Sequence, residues 1–200
     1  MDIFPISLKL QQQPCLLVGG GHIAYRKAVL LAKAGAVIHV VAPEIEQDLL
    51  DLVHTTQGQY QLEKFNAEIS LSSYRLVIAA TNDKAVNQAV FEACENLNVL
   101  VNSVDDPPHC RFMVPAIIDR SPLVVSVATN GASPVLARQI RTQLEASIPH
   151  GMGKLADFSG KWRKVVKEQI SNPDERRIFW EDLYASPLKE QVFNDHIDEA

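Results

Sequence analysis

The amino-acid sequence predicts an α/β protein, with a Rossmann-like parallel sheet followed by added strands and a small C-terminal helical domain. Short apolar runs alternate with helix-patterned segments through the first two-thirds of the chain, which is typical of βαβ units. Three glycines, Gly19 to Gly21, follow the first apolar run directly. From Gly151 onward the sequence carries only helical patterns.

The first part of the chain contains the alternating patterns. Strands are predicted at Cys15–Val18, Val37–Val41, Leu76–Ala80 and Val99–Val101, with a weaker alternation at Gln59–Phe65. Helices are predicted at His22–Ala34, Glu44–Val53 and Asp83–Leu97. Gly35 is expected to end the first of these helices, and Asn82 to cap the third.

The pattern changes after the acidic, proline-broken loop Val104–Pro108. Two apolar runs, Phe112–Ile118 and Leu123–Ala128, flank a turn-like sequence and predict a hairpin. Ser133 and Pro134 are typical of an N-cap and first helical position, and the helix they open is expected to reach Ser147. Beyond a junction at residues 149–151, helices are predicted at Lys154–Ile170, Pro173–Tyr184 and Pro187–His196.

Composition excludes several classes of protein. The 200 residues are 46% hydrophobic and 22% charged, which is ordinary for a globular domain. The three cysteines are widely spaced, so we expect neither a disulfide framework nor a structural zinc site, and a reducing, cytoplasmic setting. The net charge of −5 argues against nucleic-acid binding driven by overall charge. The sequence shows no signal-peptide or membrane-span pattern.

One segment of the tail mixes basic and aromatic residues. Residues 161–164 combine three basic side chains with Trp162, a composition that also occurs in nucleic-acid-binding proteins. In an acidic chain we interpret this segment as a solvated helix face with Trp162 buried.

The glycine run matches the GxGxxA fingerprint of dinucleotide-binding folds. Gly19 allows a tight turn, Gly21 lets the backbone approach a pyrophosphate, and the small Ala24 lets helix and strand pack closely. The helix N-terminus then faces the phosphates. The alternative is a tight structural turn. Because the motif lies between a predicted strand and a predicted helix, we favour nucleotide binding.

The end of the second predicted strand bears on the choice between NAD and NADP. This position usually carries an acidic residue that binds the ribose hydroxyls. Here the uncharged stretch Val40–Pro43 precedes Glu44, and no lysine or arginine lies nearby to meet a 2′-phosphate. We therefore expect NAD, with Glu44 as the ribose partner or, alternatively, as a charge in the first turn of a helix.

Several segments resemble one family. They are VGGGHIAYRKAVLLAKAGAVIHVVAPE, AATNDKAVN, VNSVDDP and FMVPAIIDRSPLVVSVATNGASPVLARQIR, in this order, and the tail DERRIFWE is similar too. The resemblance is to the N-terminal module of sirohaem synthase and its standalone relatives, the precorrin-2 dehydrogenase/sirohydrochlorin ferrochelatase enzymes.

This resemblance implies an organisation and a reaction. It implies an NAD-binding Rossmann domain at residues 1–110, a dimerisation region at 111–150 and a helical domain at 151–200, assembled as a homodimer. NAD⁺ would take a hydride from precorrin-2 to give sirohydrochlorin, and Fe²⁺ would then be inserted to give sirohaem. Two alternatives stay open: a dehydrogenase without chelatase activity, and a non-catalytic NAD-sensing module. The chain is expected to be a standalone enzyme or an excised module.

The resemblance also assigns residues. The family's catalytic aspartate falls on Asp105, in a loop after a strand, where a carboxylate can accept a proton. Asp106 is the expected non-catalytic neighbour. Cofactor-binding candidates are Gly19, Gly20, Gly21, His22, Ile23, Pro43, Glu44 and Thr81.

The substrate class is rich in carboxylates, which guanidinium groups grip well. Substrate-binding candidates are therefore Arg111, Arg120 and Arg138, together with Thr129 and Ser133, although Ser133 is also the natural helix cap. Arg141 shares a helix face with Arg138. Asn130 stands where the family is expected to have a glycine, which leaves the shape of that turn open.

Two further sets of residues have competing interpretations. His109 and Cys110 are chemically able to bind a metal, but we expect ordinary loop packing and no metal ligands, because adjacent side chains diverge. The apolar run around Met113 supplies candidates for the dimer surface, each of which is alternatively part of the monomer core. These are Phe112, Met113, Val114, Ile117 and Ile118.

Overall fold

The structure is a computed structural model that describes residues 2–66 and 68–193. The chain divides into two compact units, residues 1–113 and 114–200. The elements of the first unit are β1 (Pro14–Val18), α1 (His22–Lys33), β2 (Val37–Val41), α2 (Gln47–Thr55), β3 (Tyr60–Gln61), β4 (Leu76–Ala79), α3 (Lys84–Leu97), β5 (Leu100–Ser103) and a single 3₁₀ turn (Pro107–His109).

The first unit is built on a five-stranded parallel sheet, which confirms the predicted Rossmann-like fold. The strand order is β3-β2-β1-β4-β5. The chain moves outward from β1 to β3 and then returns to place β4 on the other side of β1. Open α/β sheets bind ligands at such a reversal, at the carboxyl ends of the strands.

The core explains why these segments are strands. All four residues of β4, Leu76 to Ala79, are buried, as expected for a central parallel strand covered on both faces. One apolar cluster joins Leu17 and Ile78 to the buried alanines of α1. A second joins Leu16 and Val101 to α3. The sheet is therefore covered by helices on both sides.

The second unit is smaller and largely helical. Its elements are β6 (Ala116–Arg120), β7 (Leu123–Val127), α4 (Pro134–Ser147), α5 (Met152–Gln169), α6 (Pro173–Ala185) and α7 (Leu188–Phe193). The strands β6 and β7 form the predicted antiparallel hairpin, with Ile118 opposite Val125. Ser133 caps α4 through its side chain, as predicted. The last three residues of the predicted helix Pro187–His196 lie outside the described residues.

Several predicted boundaries were wrong. Asp83, not Asn82, caps α3, because its carboxylate accepts hydrogen bonds from the N–H groups of Ala85 and Val86. The helix expected from Glu44 starts at Gln47, since Glu46 still has extended backbone. The strand expected from Phe112 starts at Ala116. Trp162 was predicted to be buried but is 47% exposed.

The described residues contain no helix that is long and apolar enough to cross a membrane. All three cysteines are free thiols. Burial raises the pKa of Cys15 to about 11 and that of Cys94 to about 12, so both are protonated and inert at neutral pH.

Candidate active site

The glycine loop connects β1 to α1 and fits a dinucleotide phosphate. Gly21 is exposed, and a Cβ atom there would meet only the Glu46 carboxylate, 3.8 Å away. The first turn of α1 has no side-chain cap and no acidic residue. Its N–H groups and partial positive charge thus face an open space in which a pyrophosphate could be bound, with Gly21, His22 and Ile23 at its edge.

The other two glycines serve packing. Gly19 has φ of 126°, a conformation that favours glycine, and a Cβ atom there would collide with the Ala80 carbonyl. A Cβ atom on Gly20 would collide with the Glu44 carbonyl and lie 2.9 Å from the Ile45 Cα. The N–H of Glu46 donates to the Gly20 carbonyl at 2.8 Å. The glycine loop is therefore packed between the chain segments that follow β2 and β4.

The segment after β2 brings the Glu44 backbone and the Glu46 carboxylate to this loop. Pro43 and Glu44 are exposed, and the Glu44 backbone packs against Gly20. Glu46, which the sequence analysis did not single out, projects its carboxylate toward Gly21. Its sequence signal was the acidic residue expected just beyond β2.

The segment after β4 is held by a small polar network. Thr81 Oγ1 donates to the Asn87 Oδ1 at 2.7 Å, and the Asn87 amide donates to the Thr81 carbonyl at 3.0 Å. Asn87 is 7% exposed. Thr81 is thus positioned at the carboxyl end of β4, next to the glycine loop, with its hydroxyl already engaged inside the protein.

The segment after β5 carries Asp105. Asp105 is exposed and has φ of 59°, a left-handed conformation that aspartate tolerates better than most residues. Such conformations are held only where the surroundings determine them. Because β4 separates β1 from β5, the glycine loop and Asp105 follow strands roughly 10 Å apart along one edge of the sheet.

Asn102 and Cys110 hold the ends of this loop together. The Asn102 amide donates to the Phe112 carbonyl at 2.9 Å and to the Cys110 sulfur at 3.3 Å. The Cys110 thiol donates to the Ser103 carbonyl at 3.2 Å. Burial raises the pKa of Cys110. Cys110 is therefore a protonated hydrogen-bonding residue of the loop.

Asp106 and His109 form a pair inside the loop. His109 Nδ1 donates to the Asp106 carboxylate at 2.8 Å, and its ring packs edge-on against Phe91 with centroids 4.8 Å apart. These contacts are the loop packing predicted for His109. In the described part of the chain, no group of three or more His, Cys, Asp or Glu side chains is arranged to hold a metal ion.

The arginine candidates differ in availability. Arg111 forms a bidentate pair with Glu95 and lies 4.9 Å from the Phe91 ring centroid. Arg120 contacts Glu145, and its side chain is 10% exposed. Arg141 also pairs with Glu145 and donates to the Ile117 carbonyl. Arg138 is exposed, and no carboxylate of the described residues pairs with it.

The turn before α4 accommodates its unusual asparagine. Asn130 and Gly131 both have left-handed backbone, with φ of 51° and 77°. Asparagine is among the residues that adopt this conformation most readily. The Thr129 hydroxyl accepts a hydrogen bond from the Ser133 N–H at 3.2 Å, and the Ser133 hydroxyl caps Leu136. Asn130 therefore preserves a compact turn.

Comparison with known proteins identifies the class and then the family. Residues 6–116 match the family described as "Putative NAD(P)-binding". Residues 120–147 match the central region of sirohaem biosynthesis proteins, and residues 151–200 match the sirohaem synthase dimerisation region. The chain is an NAD(P)-binding Rossmann protein. It belongs to the family of the N-terminal module of sirohaem synthase and the standalone precorrin-2 dehydrogenases.

Individual relatives agree with this assignment. The chain is 67% identical over 200 residues to the siroheme synthase of Acinetobacter baylyi, of which it covers 44%. It is 48% identical to that of Chromobacterium violaceum, of which it covers 42%. The chain thus spans less than half the length of these curated relatives. The solved structure of SirC, a precorrin-2 dehydrogenase, matches with a TM-score of 0.75 and 25% identity, covering 99% of this chain and 100% of that one.

Proposed function

We propose that this chain oxidises precorrin-2 to sirohydrochlorin with NAD⁺. The observation that carries the proposal is the match to SirC, which extends over 99% of this chain and the whole of that protein. The exposed Asp105 carboxylate, on the same sheet edge as the glycine loop, supplies the base that such a reaction needs.

The reaction removes a hydride and a proton from the substrate. Bound NAD⁺ supplies the hydride acceptor. The chain's part is to orient the dinucleotide, through the N–H groups of Gly21, His22 and Ile23, and to take the proton. We assign the proton to a carboxylate oxygen of Asp105, because a positioned carboxylate contributes roughly 10²–10⁴ in rate to such a transfer.

Acidic residues favour NAD over NADP. The Glu46 carboxylate lies toward Gly21, Glu44 is exposed two residues before it, and residues 40–50 contain no lysine or arginine that would meet a 2′-phosphate. A 2′-phosphate there would face like charge. Titration with both dinucleotides tests this preference, and tighter binding of NADP would contradict it. If Glu46 is the ribose partner, Glu46→Gln weakens NAD binding more than Glu44→Gln does.

We extend the proposal to a second step, insertion of Fe²⁺ as a substrate into sirohydrochlorin. Two pyrrole protons leave as the metal enters, so this step also needs a base beside the macrocycle. The sirohaem family models support it. Incubation with sirohydrochlorin and Fe²⁺ tests it, and absence of sirohaem formation would leave a dehydrogenase without chelatase activity.

We also propose substrate-binding residues, each assigned within its own unit. Thr129, Ser133, Arg120 and Arg138 belong to the second unit, and Arg111 belongs to the first. Among them, the exposed Arg138 is the most available to bind a substrate carboxylate, since no carboxylate of the described residues pairs with it. A homodimer is supported by the family match of residues 151–200. The three free thiols support a cytoplasmic location.

The decisive experiment uses the purified chain, precorrin-2 and NAD⁺. We expect the wild type to form sirohydrochlorin and NADH, and Asp105→Asn to fold and bind NAD normally while turnover falls roughly 10²–10⁴-fold. Asp106→Asn is the matched control and is expected to lose less. An active Asp105→Asn variant beside an inactive Asp106→Asn variant would show that the base is misassigned. An inactive wild type that binds NAD would favour the sensing module.

A further inference from the structure

Asp105 lies within a tight turn at the start of the loop after β5. The Asp106 N–H donates to the Ser103 carbonyl at 3.3 Å, which closes a four-residue turn with Asp105 as its third residue. The left-handed φ of 59° at Asp105 is the conformation that turns of types II and I′ require at this position. No described residue donates a hydrogen bond to the Asp105 carboxylate. The turn backbone therefore determines where this carboxylate lies.

Asp106 closes the turn and is hydrogen-bonded at each of its polar groups. Its carbonyl accepts hydrogen bonds from the His109 N–H at 3.0 Å and from the Cys110 thiol at 3.3 Å. Its carboxylate lies 2.8 Å from His109 Nδ1. Because a carboxylate can only accept hydrogen bonds, the ring nitrogen is the donor. His109 thus holds both the backbone and the side chain of the residue that follows Asp105.

The His109 ring is itself held by α3. It packs edge-on against Phe91, with ring centroids 4.8 Å apart. The Arg111 guanidinium lies 4.9 Å from the centroid of the same Phe91 ring and forms a bidentate pair with Glu95, one helical turn further along α3. The turn that carries Asp105 is therefore connected, through His109, to a helix that packs on the sheet.

Stability alone gives little reason for this pair. The side chains of His109 and Asp106 are 33% and 39% exposed, and ion pairs at such positions contribute only about 0–1 kcal/mol. The position of a catalytic group matters far more, because a displacement of about 1 Å can slow a reaction roughly 10²-fold. The larger effect of the pair is therefore on the geometry of the neighbouring Asp105.

We propose that His109 is a positioning residue for Asp105, and that its Nδ1–H holds Asp106 and thereby the turn in which Asp105 receives a proton from the substrate. This inference rests on the proposed function, because it presupposes that Asp105 is the base. His109 acts through Asp106 and makes no contact with the reacting atoms. The N–H donor, rather than the aromatic ring, is the property that the site uses.

The test compares His109→Phe with His109→Asn in the oxidation of precorrin-2 by NAD⁺. Phenylalanine keeps a ring against Phe91 and removes the donor, so we expect kcat to fall about 10- to 100-fold. Asparagine removes the ring and keeps an N–H donor on a side chain of similar reach, so kcat should stay within about threefold of wild type. KM for precorrin-2 and the Kd for NAD should change less than about twofold in both variants, because only the transition state uses the positioned base.

His54→Phe is the matched control. His54 is exposed on α2, and its ring packs edge-on against Tyr60 with centroids 6.0 Å apart, but no carboxylate of the described residues pairs with it. The same substitution there should leave kcat at the wild-type level. Asp106→Asn keeps an oxygen that can accept the His109 N–H, which agrees with the smaller loss expected for that variant.

Two other roles for His109 predict different results. If the ring packing were the important property, His109→Phe would be active and His109→Asn slow. If His109 took the proton itself through Nε2, both variants would be equally slow, and added imidazole would restore the rate. Either result would overturn the proposal.

A double variant tests whether His109 acts through Asp105. In that case His109→Phe combined with Asp105→Asn is no slower than Asp105→Asn alone, because coupled residues are not additive. Multiplicative losses would overturn the proposal, as would a rise in KM at constant kcat, which indicates direct substrate binding. A fully active His109→Phe would also overturn it while leaving the proposed function intact. If Asp105→Asn is fully active, the assignment of the base fails, and the role of His109 fails with it.

Discussion

The two compact units of the chain bury apolar side chains to very different extents. The first unit contains most of the fully buried apolar side chains among the described residues, and the second contributes Ile118 and Val192. Both units expose large apolar side chains, and those of the second unit lie in the hairpin and in α4 to α6. They are Val124, Val135, Leu136, Leu144, Trp162, Val165, Ile178, Phe179 and Tyr184.

The difference indicates that the units reach stability in different ways. A five-stranded sheet covered on both faces buries a complete core within one chain. A two-stranded hairpin is marginally stable by itself, so β6 and β7 depend on the helices that pack against them. We expect a partner subunit to cover some of the exposed apolar side chains of the second unit. Ile118, one of our candidates for that surface, is instead buried within its own chain.

A pair of glycine substitutions gives the largest expected contrast between the units. Gly20→Ala places a methyl group against the backbone of Glu44 and Ile45, which cannot move easily. We expect a loss of about 1–3 kcal/mol, as for overpacking in a core. Gly160→Ala in α5 meets nothing within 4 Å and should gain about 0.5–1 kcal/mol from helix propensity. Thermal unfolding of both variants measures the contrast.

Gly21→Ala is the matched control within the loop. Its methyl group would meet only the flexible Glu46 side chain, so stability without cofactor should be unchanged while NAD binding weakens. Equal losses of stability in Gly20→Ala and Gly21→Ala would contradict the view that the two glycines have separate roles.

The second prediction tests the exposed surface of the second unit. We expect the wild type to behave as a dimer of the 22.2 kDa chain at micromolar concentration. Trp162→Glu replaces an exposed apolar side chain with a charge, within the segment that matches the dimerisation family model, so it should shift the population toward monomer. Light scattering with size-exclusion chromatography measures the mass.

Gln143→Glu provides the comparison, because it adds the same charge at an exposed polar position of α4. It should leave the mass unchanged. A monomeric wild type would show that the exposed apolar residues have another role.

Much of the first unit could be predicted from local sequence. Buried strands such as β4 consist of consecutive apolar residues, and the glycine loop has a strict spacing. The boundaries of α3 were predicted less well, since Asn82 and Asp83 are both good caps and only the folded backbone selects one. The exposure of Trp162 was missed for a different reason, because a helical pattern does not reveal which face lacks a neighbour within the chain.

The site was predicted in part. The glycines follow a motif with a strict spacing, whereas Asp105 was assigned through the family resemblance, and its role stays a prediction. The pairing of Arg111 with Glu95 spans 16 residues and depends on how α3 lies against the loop after β5. This contact arises from tertiary packing that no local pattern encodes.

The last prediction concerns two adjacent residues of β5. Ser103 is 1% exposed, and its hydroxyl has no hydrogen-bond partner among the described residues. Asn102 is also buried, but its amide holds Cys110 and Phe112. A buried hydroxyl without a hydrogen-bond partner, such as that of Ser103, lowers the stability of the folded protein. Removal of the Asn102 amide would instead leave its hydrogen-bond partners unpaired. The two neighbours should therefore respond to alanine in opposite directions.

We expect Ser103→Ala to leave the free energy of unfolding unchanged or to raise it by up to about 1 kcal/mol. Asn102→Ala should lower it by about 1–3 kcal/mol and should also slow turnover, since the loop that carries Asp105 loses its anchor. Denaturant unfolding and turnover of each variant measure these effects. A strongly destabilised Ser103→Ala would indicate that its hydroxyl has a hydrogen-bond partner, such as a bound water. The Ser103 hydroxyl would then not be an unpaired polar group in the core of the first unit.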